Sequence, residues 1–403
     1  MKKYDYIIIG GGITGITAAE AIRQKDKNGS ILVIGDEAHA LYSRVLMLKM
    51  ACGDVDESQM YLRKKEALDD KKIEVRYGEE VNEIRPSNHD IKLKNGELYK
   101  YRKLLITTGG RPRQLATKGI DEINAHYFQT LEDARAMRDE ESPSALVIGA
   151  GFIAMELITS FVCHGRKVVS LLRKERFFSE ELDKESGEIL SDILKENDVE
   201  IRTRVEVVEF KKGDNRIAVS LSSGDILEVD AVGVGIGLKY SIELAKNAGI
   251  STDVGVIASP HLETSALDVY VAGDVAEYFD PIIRENRVAG NWQNALFQAK
   301  TAATNMTGGD EEYHNITAYA TTCFGVPMSF VGVVNMPVDS RIVRKYGDRH
   351  VLQLKVRDNK VIGATCIGPF KDRKAVYKLI EEKIELNQQM ILAFKDTEIP
   401  MKL

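Results

Sequence analysis

The strongest constraint in this chain is a pattern that occurs twice. Near the start, the β-branched run Tyr4 to Ile9 leads into Gly10, Gly12 and Gly15 at GxGxxG spacing. Apolar residues at helical spacing follow over Ile13 to Ile22, and then a second apolar run, Ser30 to Ile34. From Ser144 the order returns: a strand pattern over Ala145 to Ile148, then Gly149, Gly151 and Ala154 at the same three positions, a helix pattern over Phe152 to Phe161 and a strand pattern over Lys167 to Leu172. Each set reads as a strand–turn–helix–strand unit. The first glycine makes the tight turn, the second lets the backbone approach a pyrophosphate, and the third lets helix and strand pack closely, a place where alanine also serves. The amides that open each helix favour an anion. Two such units predict two bound dinucleotides.

The rest of the chain sets the frame. At 403 residues there is room for two or three domains. A net charge of −6 argues against a broad basic footprint for nucleic acid. No apolar stretch reaches the roughly 18 residues of a membrane span, and the N-terminus lacks a signal-peptide pattern, so a cytoplasmic protein is expected. The four cysteines, Cys52, Cys163, Cys323 and Cys366, are scattered without a CxxC or CxxxxC pair. They predict no metal site and no sequence-local redox disulfide, and read as packed thiols.

Between the units, a helix is expected near Ser58 to Leu68, a hairpin turn at Asn95-Gly96 and a strand at Leu104 to Thr107. Strands are also expected at Asp230 to Gly237 and Asp268 to Ala272, with a helix over Asn291 to Met306. After about Tyr313 come short strand patterns (Met328 to Val334, Val351 to Val356, Val361 to Ile367) and a charged helix over about Lys371 to Leu386, a separate α+β domain.

An acid about twenty residues after the first fingerprint would bind ribose hydroxyls. Glu37 is the candidate, with Asp36 the alternative. At the matching place in the second unit stands Leu172-Arg173-Lys174-Glu175-Arg176. Loss of the acid and gain of cations favour a 2′-phosphate, hence NADPH over NADH, with a solvated loop as the competing reading.

Further motifs carry a family resemblance. Gly35-Asp36-Glu37 with Tyr42-Ser43-Arg44, the stretch Leu104 to Arg113, Thr264-Ser265 with Tyr270 to Asp274, and the helix Trp292 to Met306 with Gln298 and Asn305 resemble the FAD-dependent pyridine nucleotide oxidoreductases. The likeness is to their rubredoxin, ferredoxin and nitrite reductase branch. It implies an α/β protein of two doubly wound Rossmann-like dinucleotide-binding domains plus a C-terminal α+β domain. The FAD-binding domain would be split over 1–112 and 241–308, the NAD(P)H-binding domain would occupy 113–240, and residues 309–403 would close the flavin site. FAD would meet Gly10, Gly12, Thr14, Gly15, Glu37, Arg44, Lys49, Thr108, Gly109, Arg113 and Asp274. NAD(P)H would meet Gly149, Gly151, Phe152, Ile153, Glu156, Arg173, Lys174 and Gly237. In relatives a lysine and a glutamate at the places of Lys49 and Glu156 pair beside the flavin, fixing charge at the ring atom that accepts hydride. Ala320 to Gly325 resembles a stretch covering one flavin face, which makes Thr321, Thr322 and Phe324 candidate neighbours of the ring.

The oxidase and coenzyme A disulfide reductase relatives carry a redox cysteine where this chain has Ser43, and serine forms no disulfide. Electrons are therefore expected to leave the flavin directly, to a small redox protein of rubredoxin or ferredoxin type. An NAD(P)H oxidase or other small-molecule reductase is the first alternative, and a redox-sensing flavoprotein the second. The chain would be a monomer or homodimer.

Overall fold

The computed structural model describes residues 2–396. The chain forms two compact units: Met1–Ser43, Tyr61–Arg111 and Lys239–Ala318 in one, and Arg44–Met60, Pro112–Leu238 and Tyr319–Leu403 in the other. The fold is α/β, with a parallel doubly wound sheet in each unit and an additional antiparallel C-terminal sheet.

In the first unit the strand Lys2–Ile9 lies between Ile31–Ile34 and Leu98–Ile106, parallel to both. Ile7 faces Leu32 on one side and Leu104 on the other. Ile73–Arg76 continues the parallel sheet beyond Ile31–Ile34, and Val269–Val271 pairs in parallel with the far half of Leu98–Ile106. Ile7, Ile8, Leu104 and Leu105 are fully buried. Strands covered on both faces read as continuous apolar runs, which is why this sheet was legible as Tyr4 to Ile9 and Ser30 to Ile34. The expected turn at Asn95-Gly96 joins Asp90–Leu93 to the antiparallel half of Leu98–Ile106, with Gly96 at φ +92°.

The second unit repeats the plan. Its five-stranded sheet runs Val199–Thr203, Lys167–Leu172, Ser144–Ile148, Ala231–Val234, Ala125–His126, all parallel. A three-stranded antiparallel sheet, Val207–Lys212, Ile217–Leu221 and Ile226–Val229, stands beside it and had no separate signature in the sequence. The C-terminal sheet has five strands in the order Ala318–Cys323, Val326–Gly332, Lys360–Ile367, His350–Arg357, Ser340–Gly347. It is held to the rest of its unit partly by Lys355. That side chain is buried, its Nζ donates to the carbonyls of Glu180 (2.7 Å) and Val334, and burial lowers its ammonium to about 8.

Two expected helices are shorter than their patterns. Ser58 to Leu68 holds a 3₁₀ turn at Glu57–Gln59 and a helix only at Lys65–Asp69, because Tyr61 pairs across to Tyr42 and keeps the chain extended. Lys371 to Leu386 is helical over Arg373–Glu381 and then turns at Lys383 (φ +50°); a further helix follows at Gln388–Lys395.

Candidate dinucleotide sites

The first fingerprint is built by close backbone approach. Gly10 sits at φ +122°, and a Cβ there would lie 2.3 Å from the Thr107 carbonyl oxygen. A Cβ on Gly15 would lie 1.9 Å from the Gly10 carbonyl oxygen. Gly12 is different: nothing lies within 4 Å of the place its Cβ would take. Gly12 is also the N-cap of the helix Ile13–Lys25, which has no side-chain cap and no acid in its first turn. Its opening amides therefore face open space, the arrangement that suits a phosphate. Thr107 turns its hydroxyl inward to the carbonyls of Ile9 (2.9 Å) and Gly10 (3.3 Å).

The stretch Tyr270 to Asp274 reaches the same helix. Gly273, at φ +83°, lies so close to Thr14 that a Cβ would come within 2.5 Å of its hydroxyl. Its N–H donates to Gln298 Oε1 at 2.7 Å. Gln298 is fully buried on the helix Trp292–Met306, and its Nε2 has no hydrogen-bond partner among the described residues. Asp274 follows, packed against Gly290. The fold thus gathers Gly10, Gly12, Thr14, Gly15 and Asp274. Glu37 lies at the end of the strand Ile31–Ile34 and accepts from Tyr42 Oη at 2.6 Å, while Asp36 pairs with Arg111. Thr108 Oγ1 donates to the Ser241 carbonyl at 3.0 Å, and Gly109 has φ +60°.

The second fingerprint repeats this geometry. Gly149 has φ +136°, and its Cβ would lie 2.2 Å from the Gly235 carbonyl oxygen. Gly151 caps the helix Phe152–Val162 with nothing within 4 Å of its missing Cβ and no acid in the first turn. Alanine fits the third position because the facing residue is Gly235, where a Cβ would lie 2.5 Å from the Ala154 nitrogen. Open cradles at Gly12 and Gly151, set beside tightly closed glycines, fit two pyrophosphates. Ile153 is partly buried beside Phe152, whose ring meets Phe178, Tyr319 and Phe330 edge-on at 4.7, 5.0 and 5.1 Å. Gly237 accepts from the Arg113 N–H at 2.9 Å, and Arg113 Nε donates to the Leu238 carbonyl at 2.9 Å.

The cations after Leu172 all have acidic neighbours. Arg173 is exposed with Nε 3.8 Å from Glu206, Lys174 pairs with Glu180, and Arg176 pairs with Glu175, which Arg204 also reaches at 3.1 Å. Glu206 and Arg204 lie far along the chain and could not be read as partners from sequence.

Three expectations meet a different arrangement. Arg44 and Lys49 belong to the segment Arg44–Met60, which groups with the second unit, and the Arg44 guanidinium donates to the Gln129 carbonyl. Lys49 is exposed on the short helix Met47–Ala51, and no ion pair joins it to Glu156 among the described residues. Glu156 is partly buried on a helix of apolar neighbours, and desolvation alone raises its carboxyl to about 7. Finally, Cys52 and Cys163, read as separate thiols, form a disulfide across 111 residues of sequence, because the helices Met47–Ala51 and Phe152–Val162 pack with their C-terminal ends together. Cys323 stays a buried thiol, 3.6 Å from Met155 Sδ and pushed up to about 12 by burial. Near it, Thr321 and Phe324 are partly buried and Thr322 is exposed.

Among the described residues no helix is long and apolar enough to cross a membrane. Residues 4–299 match the family model described as pyridine nucleotide-disulphide oxidoreductase. The ferredoxin–NAD(+) reductase component of 3-phenylpropionate/cinnamic acid dioxygenase from Photorhabdus laumondii is 28% identical over 390 residues, which cover 94% of this chain and 97% of that protein. NADH-rubredoxin oxidoreductase of Clostridium acetobutylicum is 25% identical over 371 residues, 91% of this chain and 92% of that one. The crystal structure of the covalent putidaredoxin reductase–putidaredoxin complex shares the fold at a TM-score of 0.91 and 23% identity, covering 100% of this chain and 98% of that one. With fold, paired cradles and family model in agreement, the chain belongs to the pyridine nucleotide-disulphide oxidoreductases, enzymes of FAD and NAD(P)H.

Proposed function

We propose that this chain passes electrons from NAD(P)H through FAD to a small redox protein of ferredoxin or rubredoxin type. The observation that carries the reading is the pair of uncapped helix starts at Gly12 and Gly151, each open where a pyrophosphate would lie. When bound, FAD supplies the chemistry, accepting a hydride and releasing electrons one at a time. The side chains bind and orient. Gly10, Gly12, Thr14, Gly15, Glu37, Thr108, Gly109 and Asp274 hold FAD, with Gln298 setting the Gly273–Asp274 turn. Gly149, Gly151, Phe152, Ile153 and Gly237 hold the nicotinamide nucleotide, and Arg113 meets FAD.

Glu156 holds or releases a proton near neutral pH, since desolvation places its carboxyl at about 7. Lys49, exposed on Met47–Ala51, makes no ion pair with it among the described residues. Arg173 and Lys174 read the donor's 2′ position, and NADPH is the preferred donor: Leu172 offers no acid to a 2′-hydroxyl, and a 2′-phosphate displaces the exposed Glu206 from Arg173. The relatives named above use NAD(+) or NADH by their names, so the test compares both nucleotides. The flavin absorbance of the purified protein is followed without oxygen during separate additions of NADH and NADPH, and then of a rubredoxin or a ferredoxin. Rapid bleaching by at least one nucleotide, and recovery on adding an acceptor protein, are expected. FAD that neither nucleotide bleaches would refute the reading.

A further inference from the structure

The Cys52–Cys163 disulfide has no part in that electron path. It fastens the C-terminal end of the helix Met47–Ala51, which carries Lys49, to the C-terminal end of the second fingerprint helix, which carries Glu156; the two Cα atoms are 5.9 Å apart. A ring nitrogen of His164 lies 2.8 Å from the Ala51 carbonyl oxygen across the same junction. Cys163 is exposed and Cys52 partly so. The other two cysteines are the reverse: Cys323 and Cys366 are buried, and burial pushes both thiols up to about 12.

The exposure of Cys163 suits exchange. His164, Arg166 and Lys167 follow it in sequence and line a hollow of about 590 Å³ together with Arg138, Glu140 and Glu141. Arg166 Nη1 is buried without a hydrogen-bond partner among the described residues. An exposed disulfide sulfur is open to attack by a thiolate. In reducing compartments the disulfides that do form are mostly transient, catalytic or redox-sensing ones.

We infer that Cys52–Cys163 is a redox-active site whose substrate is a dithiol. A dithiol thiolate attacks the exposed Cys163 sulfur, the Cys52–Cys163 bond breaks, and Cys52 leaves as a thiolate that takes a proton from water. The second thiol of the reductant then attacks the mixed disulfide and frees Cys163. Two electrons pass from the dithiol, now a disulfide, to the two cysteines, and an external disulfide reverses the step. Opening the bond removes one tether of the segment Arg44–Met60, loosening it against the helix bearing Glu156 while the Arg44–Gln129 and Arg135–Glu57 contacts remain, and slows the reductase. The rate effect rests on the reductase reading; the thiol chemistry does not.

The test treats the FAD-loaded protein, unfolded at no stage, with dithiothreitol, alkylates it and maps the labelled cysteines by mass spectrometry. Limited proteolysis within 44–60 is followed in parallel, and NAD(P)H-driven ferricyanide reduction is measured after the dithiothreitol is removed by anaerobic desalting, since the dithiol reduces ferricyanide directly. Labelling of Cys52 and Cys163 with Cys323 and Cys366 spared, faster cleavage within 44–60, and a several-fold drop in rate that oxidised dithiothreitol restores are expected. The Cys163→Ser variant should sit at the lower rate and ignore the dithiol. A bond that resists dithiothreitol in the folded protein overturns the inference, as does one that opens with cleavage and rate unchanged. If ferricyanide is never reduced, the reductase reading fails, while labelling and proteolysis still decide the thiol site.

Discussion

At Gly15 a single added methyl would lie 1.9 Å from a backbone oxygen, whereas at Gly12 it would meet nothing. These two glycines of one motif therefore separate folding from binding. Gly15→Ala should cost about 2–3 kcal/mol of stability through overpacking. Gly12→Ala should cost about 1 kcal/mol or less, yet lose most of its FAD because the methyl enters the phosphate space. Denaturant unfolding beside flavin content in the purified variants checks both. Glu156 offers a pH-dependent counterpart. Its carboxyl is raised from 4.5 to about 7, so between those values the folded chain keeps a proton that the unfolded chain has lost. Its stabilising effect is full below pH 4.5 and is lost as pH rises through about 7. In cofactor-free protein, Glu156→Gln should remove a decline on the order of 3 kcal/mol across that window. Equal slopes in the two proteins would show that the carboxyl is not desolvated.

Among the elements, the short segment Arg44–Met60 departs most from its sequence neighbourhood. Its flanks belong to the first unit, but the segment is anchored on the second: by the disulfide, by the Arg44 contact to Gln129, and by Arg135, which grips Glu57 with two bonds of 2.7 and 2.6 Å. A crosslink over 111 residues restricts the unfolded chain strongly. Without reductant, Cys163→Ser should therefore unfold about 2–4 kcal/mol more easily than the parent, and the difference should vanish when the parent is reduced. The fingerprint helices were legible because a strand, a glycine turn and a 3.6-residue apolar period lie consecutively in the chain. The end of the helix Arg373–Glu381 was not, since charged residues continue past it and the turn at Lys383 has no glycine to mark it.

For the molecule as a whole, the net charge of −6 says little about the proposed choice of nucleotide, which would turn on local charges. Arg173 lies near Glu206 and Lys174 near Glu180, so a 2′-phosphate has to compete with carboxylates already in place. Replacing both cations (Arg173→Ala with Lys174→Ala) should lower kcat/KM for NADPH about tenfold and leave NADH within a factor of about two. Equal losses with both nucleotides would mean that the two residues only shape the loop.

Sequence by itself determined the fold class, the two dinucleotide units and the glycines that make them, because that geometry is set within a few consecutive residues: a positive φ at Gly10 and Gly149, a close approach at Gly15, an open position at Gly12 and Gly151. It also marked Glu156 as unusual, a charge in an apolar helix. Only the tertiary structure decided that Lys49 is exposed with no ion pair to Glu156 among the described residues, that Glu206 and Glu180 sit by the cations after Leu172, and that Cys52 meets Cys163. Except for Lys174–Glu180, those contacts join residues far apart in the chain, and they depend on how helices and sheets pack rather than on any local spacing.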